Sequence, residues 1–228
     1  MKVTLIASTW IHRYAWGKTV EGTAFYEREE EDNEDADLLA ETAGRLCYKS
    51  WDLPSEKTRD NDTYLANILK QHHYSVLEHA SVTFLLQGVS RSFTHELVRH
   101  RHLSFSQVSQ RYVEPGEFDY VVPPAARGNK CWETAIAAAY MGAVRQAKCL
   151  SLDLQKQGLS KKQANEAGRA FLPNCSATEI VVTGTLRAWR ELLAKRLSPG
   201  ADAEFQEVAA AILAELKREA PNTFQDFE

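Results

Sequence analysis

The sequence predicts an α+β fold, a mixed sheet with flanking helices, formed by a single domain over residues 1–228. Short runs rich in β-branched and aromatic residues indicate strands, and longer runs with apolar residues three and four positions apart indicate helices. The two kinds of element do not alternate as they do in a doubly wound βαβ protein. Neither a G-x-G-x-x-G nor a G-x-x-x-x-G-K-[ST] sequence is present, so a bound nucleotide or flavin must be held by side chains.

In the first half of the chain, strands and helices are expected on either side of an acidic segment. Asn61 or Asp62, both common capping residues, begins the second of the three helices. The predicted elements are a strand over residues 2–8, a solvated acidic loop over about residues 27–37, a helix over residues 37–48, a helix from residue 61 or 62 through residue 69, a strand over residues 81–88 and a helix from Ser90 that carries Phe93 and Leu97.

In the second half, the helices are bounded by glycine, proline and serine. Gly158 ends a long alanine-rich helix, and Ser160 caps the next one. The predicted elements are an extended segment that ends at residue 124, a helix over residues 132–157, a helix from residue 160 that ends before Pro173, a strand over residues 177–184, a helix over residues 186–197 and a last helix that ends at Pro221.

Charge is distributed unevenly along the chain. The 27 lysines and arginines and 31 acids of the 228 residues give a net charge of −4. Eight of the acids lie in residues 27–37 with one arginine, so the remainder holds 23 acids and 26 bases, a charge of +3. Hydrophobic residues at 44% and charged residues at 25% are typical of a globular protein and exclude a disordered or disulfide-dense chain.

The N-terminal apolar run is too short for a secretion signal, and no segment is long enough to span a bilayer. We therefore expect a cytoplasmic protein with no membrane partner. The four cysteines are far apart and form no C-x-x-C pair, which predicts buried, reduced thiols and no zinc ribbon.

Three groups of histidine or cysteine residues could form a metal site or a nucleophile, but a structural role is expected for each. His95 and His100 resemble the H-E-x-x-H zinc helix, but five residues place them about 140° apart around a helix. His72, His73 and His79 lack a second ligand at zinc spacing, so no metal site is expected. Cys175 has no flanking signature of a nucleophile and is expected to be a buried thiol.

The segment from Glu96 to Tyr112 is the most distinctive part of the sequence. It contains three arginines, two histidines and two glutamines but no lysine, which favours bidentate recognition of phosphate or a nucleobase edge over diffuse charge. On a continuous helix Glu96, Arg99 and His100 would share one face. The alternative is a non-catalytic nucleotide- or RNA-binding module with Phe105 and Tyr112 as stacking groups. The net charge of −4 argues against a dedicated nucleic-acid binder, so no nucleic-acid partner is expected.

The spacing of Arg99, His100, Arg101 and Ser109 resembles the R-H-R-x7-S signature of the flavin-dependent thymidylate synthases. Further positions resemble the family in the same order: residues 47–51, His73, Ser75, Glu78, His79, Ser104, Gln107, Arg111, Tyr112, Arg169, Leu172, Pro173, residues 187–190, Phe224 and Phe227. The resemblance implies a non-Rossmann flavin-binding fold and a homotetramer with active sites shared between subunits. It implies reductive methylation of dUMP to dTMP, with 5,10-methylenetetrahydrofolate as carbon donor and NADPH reducing FAD.

The same resemblance implies roles for individual residues. Contacts to FAD are implied for Ser75, Arg99, His100, Arg101, Gln107, Arg187 and Glu191. Contacts to dUMP are implied for Glu96, Arg99, Gln107, Ser109, Arg111, Tyr112, Arg169 and Tyr48, with Arg111 and Arg169 on the phosphate.

Arg196 matches the family arginine that lies beside the pyrimidine and is the implied catalytic residue. A fixed guanidinium would stabilise uracil deprotonated at N3 and so raise the nucleophilicity of C5. The family uses no enzyme nucleophile. Two positions depart from the family pattern, Thr185 and Glu191, where asparagine, and asparagine or histidine, are usual. We expect Arg187 or Arg190 to pair with Glu191 at helical spacing.

Overall fold

The computed structural model describes residues 1–28, 34–52, 55–117 and 119–227. Four strands form one sheet in the order β1-β2-β4-β3, and its three pairings are all antiparallel. The strands are β1 (Lys2–Ser8), β2 (Ser81–Ser90), β3 (Leu103–Gln107) and β4 (Ala177–Thr185). The α+β class is confirmed, whereas the expectation of a mixed sheet is wrong. β2 and β3 point the same way but do not pair, because β4 lies between them and is antiparallel to both.

Helices pack around this sheet. They are α1 (Arg13–Val20), α2 (Ala24–Arg28), α3 (Asp35–Tyr48), α4 (Asn61–Lys70), α5 (Arg91–Leu97), α6 (Lys130–Lys156), α7 (Lys161–Gly168), α8 (Leu186–Arg196) and α9 (Ala203–Glu219). Short 3-10 turns occupy Tyr74–Glu78, Pro124–Ala126 and Arg169–Phe171. The predicted helices that follow residue 34 are all present, while α1, α2 and β3 were not predicted. The N-cap of α4 is Asp60, one residue before the two candidates, and its carboxylate forms a capping box with Thr63.

The main core lies between the sheet and helices α8 and α9. Alternate residues of β2 and β4 are buried, as expected for a sheet with one covered face. Trp189 on α8 packs edge-on against Phe84 of β2, with ring centroids 5.2 Å apart, and donates its Nε1–H to the Val82 carbonyl at 3.1 Å. Gly184 of β4 lets Leu103 and Trp189 approach, because a Cβ there would lie 2.2 Å from Leu103 Cδ2. This close packing fixes the start of α8 against the sheet.

The predicted acidic loop is corrected over the residues that the structure describes. Asp35 and Asp37 belong to α3, and residues 29–33 lie outside the described residues. Asp37 is completely buried and accepts hydrogen bonds from the backbone N–H groups of Asn222 and Thr223 and from the Thr223 hydroxyl. The end of this acidic segment is therefore structural, because it anchors the C-terminal segment of the chain.

The cysteine prediction is also wrong in part. Cys47, Cys131 and Cys149 are exposed and Cys175 is partly buried, although all four are free thiols. Two of the exposed cysteines lie on α6, a 27-residue helix with only Tyr140, Ala147 and Ser151 buried. Because α6 lies on the surface, its two cysteines face solvent, whereas a helix in the core would bury them. None of the helices described is both long and apolar enough to cross a bilayer.

Candidate active site

The sheet divides the predicted site residues into two groups. Leu103 at the start of β3 pairs with Gly184 near the end of β4, whereas Gln107 at its other end pairs with Ile180. The two ends of β3 are about 13 Å apart at the usual strand rise. Residues of the R-H-R segment and of α8 lie near one end, and residues from Gln107 onward lie near the other.

Arg196, the last residue of α8, is held by residues from a distant part of the sequence. Its Nε–H donates to Nε2 of His100 at 3.0 Å, and its NH1 group donates to Oε2 of Glu96 at 2.6 Å. The ring of Phe205 lies 4.4 Å from the guanidinium carbon. The Arg196 side chain is 19% exposed, so it is a largely desolvated cation fixed by an anion and a neutral acceptor.

His100 is neutral in this arrangement. Burial first, and then the positive charges of Arg196, Lys195 and Arg99, lower the pKa of His100 to about 4, against a smaller opposite effect of Glu191. Because Arg196 donates to Nε2, the proton of the neutral ring is on Nδ1. Arg196 is therefore held by an uncharged imidazole on one edge and by the Glu96 carboxylate on another.

The predicted helix through the R-H-R segment is corrected. Helix α5 ends at Leu97 with Val98 as its C-cap, and residues 98–102 form a turn before β3. The shared helical face of Glu96, Arg99 and His100 does not form. Glu96 and His100 still converge on Arg196, whereas Arg99 and Arg101 are exposed in the turn. Neither of these two guanidinium groups makes a hydrogen bond or an ion pair with a residue that the structure describes.

Arg187 lies in the first turn of α8 between two carboxylates. It donates to Oε1 of Glu78 at 2.5 Å and to Oε1 of Glu191 at 3.4 Å, which settles the predicted pairing of Glu191 in favour of Arg187. Arg190 pairs with Asp226 instead, through two hydrogen bonds of 2.7 Å. Thr185 is the N-cap of α8, and its hydroxyl accepts from Ala188 N–H.

Two cavities open on either side of Arg187. The first, of about 430 Å³, is lined by Glu78, His102, Thr185, Arg187, Ala188 and Glu191. The second, of about 360 Å³, contains Tyr48 and Ser75 together with Arg187. Tyr48 is the last residue of α3 and Ser75 belongs to the 3-10 turn 74–78, so two elements from the first half of the chain meet α8 here. Three of the predicted ligand-binding residues are thus brought together.

At the other end of β3, Gln107 lines a third cavity of about 350 Å³ with Arg91, Thr94 and Pro173 among its walls. The Gln107 side-chain amide donates to the Thr94 hydroxyl at 2.9 Å. Burial and then the nearby charge of Arg169 lower the pKa of Arg91. An anion near these two guanidinium groups would reduce the repulsion between their charges.

The residues that follow Gln107 lie in a turn beside α7. The Ser109 hydroxyl accepts from the N–H of Arg111 at 3.3 Å, and Asn165 of α7 donates to the Arg111 carbonyl at 3.4 Å. Glu166 lies 3.9 Å from the Arg111 guanidinium, a loose ion pair with both side chains exposed. The exposed ring of Tyr112 lies between the cations of Arg111 and Lys162, at 5.8 and 5.6 Å. Both Arg111 and Tyr112 remain accessible to a ligand.

Some residues of these cavities were assigned no role from the sequence. Arg91 follows the strand β2 with no local signal, and only the fold brings it near Arg169. Phe205 lies on the last of the predicted helices, and its contact with Arg196 depends on tertiary packing that periodicity does not indicate. Glu78 is one of the positions that resemble the family, and His102 lies in the segment from Glu96 to Tyr112, but the resemblance implies no role for either. In the described residues, no group of three or more histidines, cysteines or carboxylates could hold a metal ion.

The fold and the site together define an α+β protein with arginine side chains in the walls of its cavities, a lining that suits anionic ligands. The sequence matches a family model, "Thymidylate synthase complementing protein", over residues 30–222. A flavin-dependent thymidylate synthase of Mycobacterium sp. (strain JLS) is 48% identical over 211 residues, which cover 87% of this chain and 83% of the relative. That of Mycobacterium marinum (strain ATCC BAA-535 / M) is 45% identical over 204 residues, 86% of this chain and 82% of the relative. The chain belongs to the thymidylate synthase complementing protein family.

Proposed function

We propose that this protein is a flavin-dependent thymidylate synthase that converts dUMP to dTMP, with 5,10-methylenetetrahydrofolate as carbon donor and NADPH as reductant. The observation that carries the proposal is the fixed, largely buried guanidinium of Arg196, held by Glu96 and by neutral His100 within the R-H-R segment. The similarity to curated relatives over most of the chain supports it independently.

The residues around the cavities fit FAD by their charge and hydrogen-bonding capacity. Arg99 and Arg101 are exposed donors, and Arg187 stands between two cavities beside Ser75. These side chains, with His100 and Gln107, would hold the diphosphate and the ring system without a glycine-rich loop. Bound FAD would supply the hydride that NADPH delivers to it. Glu191 and Glu78 partly neutralise the charge of Arg187. We therefore propose that Glu191 adjusts the charge of this wall of the FAD site and does not itself bind an anionic group.

For dUMP, the arginines beyond β3 are the phosphate partners. Arg169 is exposed and the Arg111 side chain is 40% exposed, and Arg91 adds a third guanidinium close to Arg169. Gln107 is the last residue of β3, and Ser109 lies in the turn that follows it. Tyr112 and Tyr48 have exposed rings that could position the base. The arrangement suits a ligand with a doubly charged phosphate and a planar base.

Arg196 is the catalytic residue of the proposed reaction. Its charge beside the pyrimidine would favour loss of the uracil N3 proton and increase electron density at C5, where the new carbon–carbon bond forms. Glu96 and His100 hold the guanidinium, so its orientation requires no rearrangement when the substrate binds. His100 is neutral and cannot compete with Arg196 for the anion.

A cysteine nucleophile is not needed, and the structure offers a poor one in Cys175. Burial raises the pKa of the Cys175 thiol, which disfavours the thiolate. This agrees with a reaction in which the bond to C5 forms without covalent attachment of the enzyme to the base.

We further propose a homotetramer with sites shared between subunits. Within one chain, the predicted ligand-binding residues lie in two groups, one at each end of β3. Helix α6 also exposes Met141 and Leu152, two large apolar side chains about 20° apart around the helix, on a face that a second copy could cover. Light scattering of the purified protein tests the tetramer, and a monomeric mass in active protein would contradict it.

The proposed activity is tested with purified protein and dUMP labelled with tritium at C5. The protein is expected to be yellow with flavin absorbance and to release tritium only when NADPH and methylenetetrahydrofolate are both present. A colourless protein that FAD does not reconstitute, and that releases no tritium, would overturn the proposal and favour a nucleotide-binding module without chemistry.

A further inference from the structure

Phe205 contacts the catalytic arginine from inside the core. It lies in the first turn of α9, is completely buried, and places its ring centroid 4.4 Å from the Arg196 guanidinium carbon. The same ring lies edge-on to His100 at 5.9 Å and to Phe93 at 4.6 Å. Phe205 therefore touches both Arg196 and the imidazole that accepts from Arg196.

The turn that carries Phe205 is itself held firmly. Asp202 caps α9 by accepting from the N–H of Phe205 at 3.2 Å. Glu204 accepts from the backbone N–H and the hydroxyl of Ser90, at 2.7 and 2.6 Å, in a buried setting. Ser90 in turn caps α5 by accepting from Phe93 N–H. The first turn of α9 is thus hydrogen-bonded to the start of α5, while Phe205 contacts His100 beyond the end of α5.

These contacts restrict the Arg196 guanidinium on two edges and one face. Nε and NH1 are used by His100 and Glu96, and the Phe205 ring covers the inner face of the guanidinium. The Glu96 side chain is 40% exposed, so it can move toward solvent together with the guanidinium. The hydrogen bond to Glu96 therefore does not fix the guanidinium by itself. The ring is the rigid part of the support, because it is completely buried and belongs to a turn that the hydrogen bonds of Asp202 and Glu204 hold in place.

We propose that Phe205 is a positioning residue for the reaction, fixing the plane of the Arg196 guanidinium relative to the pyrimidine. This inference rests on the proposed thymidylate synthase activity. An aromatic face attracts a cation electrostatically and resists tilting, whereas an aliphatic side chain of similar size only fills space. Loss of the ring should therefore lower turnover more than substrate binding, since the charge of Arg196 remains in place.

The test compares Phe205→Leu with Phe93→Leu in the FAD-loaded protein. Both substitutions remove the contact between the two rings, but only Phe205→Leu removes the ring beneath Arg196. We expect kcat of Phe205→Leu to fall about tenfold or more with KM for dUMP changed less than about threefold, and Phe93→Leu to retain most of its kcat.

A second readout follows Arg196 without turnover. In the native protein the Arg196 Nε–H, protected by its hydrogen bond to His100, should give a slowly exchanging resonance in ¹H–¹⁵N spectra. This resonance should broaden or exchange faster in Phe205→Leu and persist in Phe93→Leu. Equal kcat values and equal exchange in the two variants would overturn the positioning role.

Two controls keep the outcomes separable. If either leucine variant fails to fold, the pair Phe205→Met and Phe93→Met replaces it, because methionine preserves volume and adapts its shape. Absence of turnover in the native protein would refute the proposed activity. Native turnover together with unchanged turnover in Phe205→Leu would refute only the role of Phe205.

Discussion

Arg196 and His100 are 96 residues apart in the sequence, and the Nε–H of Arg196 donates to Nε2 of His100 at 3.0 Å. Because an arginine Nε always carries its proton, this bond fixes the imidazole as an acceptor with its own proton on Nδ1. The fold thus joins the end of α8 to the turn after α5 and fixes the protonation state of both side chains.

Replacing Arg196 by lysine should abolish most of the turnover. A lysine ammonium cannot donate in one plane to both Glu96 and His100, and burial next to the core favours its neutral form. We expect kcat to fall by about 10² to 10³, as for the loss of a preorganised donor, while flavin absorbance stays. Arg218→Lys on the exposed side of α9 is the matched control and should turn over normally. Normal turnover of Arg196→Lys would contradict the catalytic assignment.

His100 should stay neutral throughout the physiological pH range. With its pKa lowered to about 4, the folded protein binds fewer protons than the unfolded chain between that value and 6.5. The contribution of His100 to stability is therefore complete above pH 6.5 and is lost as the pH falls toward 4. Histidine ¹⁵N shifts recorded from pH 8 to 5, with His100→Gln for assignment, should show a neutral Nδ1–H ring. A titration midpoint at or above 6.5 would be inconsistent with the buried arrangement.

The strand β3 has a sequence pattern that indicates a strand only weakly. Leu103 and Phe105 alternate with Ser104 and Ser106, the period of a half-buried strand. The same segment also fits a ligand-binding turn, because its serines and glutamine are hydrogen-bond donors. The apolar alternation covers only four residues, so by itself it does not distinguish a strand from such a turn.

Other parts of the site could not be predicted from one sequence. The resemblance identified Arg196, but its contacts with Glu96 and Phe205 depend on how α8, α5 and α9 pack together. Likewise, α1 is a short helix with only Val20 buried, so its periodic signal is weak. Local patterns determine the elements, whereas partners far apart in the chain follow from tertiary packing.

Cys175→Ser should leave dTMP formation within about twofold of the native rate. The thiol is partly buried and its pKa is raised by that burial, so little thiolate exists at neutral pH. Tritium release from labelled dUMP measures the effect, with Cys149→Ser on α6 as the control. Complete loss of release in Cys175→Ser alone would indicate a nucleophilic cysteine.

Arg45 should be among the most sensitive positions for stability. It is buried on α3, bonded to Glu41 at 2.6 Å, and lies between the rings of Phe25 and Tyr64 at 5.0 and 4.9 Å. Arg45→Met leaves the buried Glu41 carboxylate without its cation and should cost about 3 to 5 kcal/mol in free energy of unfolding.

Arg218→Met provides the comparison, because the Arg218–Glu215 pair is exposed and should contribute at most about 1 kcal/mol. Urea unfolding of both variants gives the two values. Equal losses would show that the Arg45–Glu41 pair contributes no more than a surface pair.

Asp37 ties the start of α3 to the C-terminal segment, and that segment in turn holds α8. Thr223 donates to Asp37 through both its backbone N–H and its hydroxyl, and the Thr223 carbonyl accepts from Arg190 of α8. Arg190 also pairs with Asp226. The buried carboxylate is thus linked to the helix that carries Arg187 and Arg196.

Burial raises the pKa of Asp37 to about 6 against the opposing hydrogen bonds from Thr223 and Asn222. The folded protein therefore binds more protons than the unfolded chain between pH 3.8 and 6, so the Asp37 contribution weakens as the pH rises through that range. At 1.36 kcal/mol per pKa unit the full change is at most about 3 kcal/mol. Asp37→Asn cannot titrate, so the difference in unfolding free energy between native and variant protein should change between pH 4 and 6.5 and be constant above that. Parallel pH profiles of the two proteins would show instead that the hydrogen bonds keep Asp37 ionised down to its ordinary pKa.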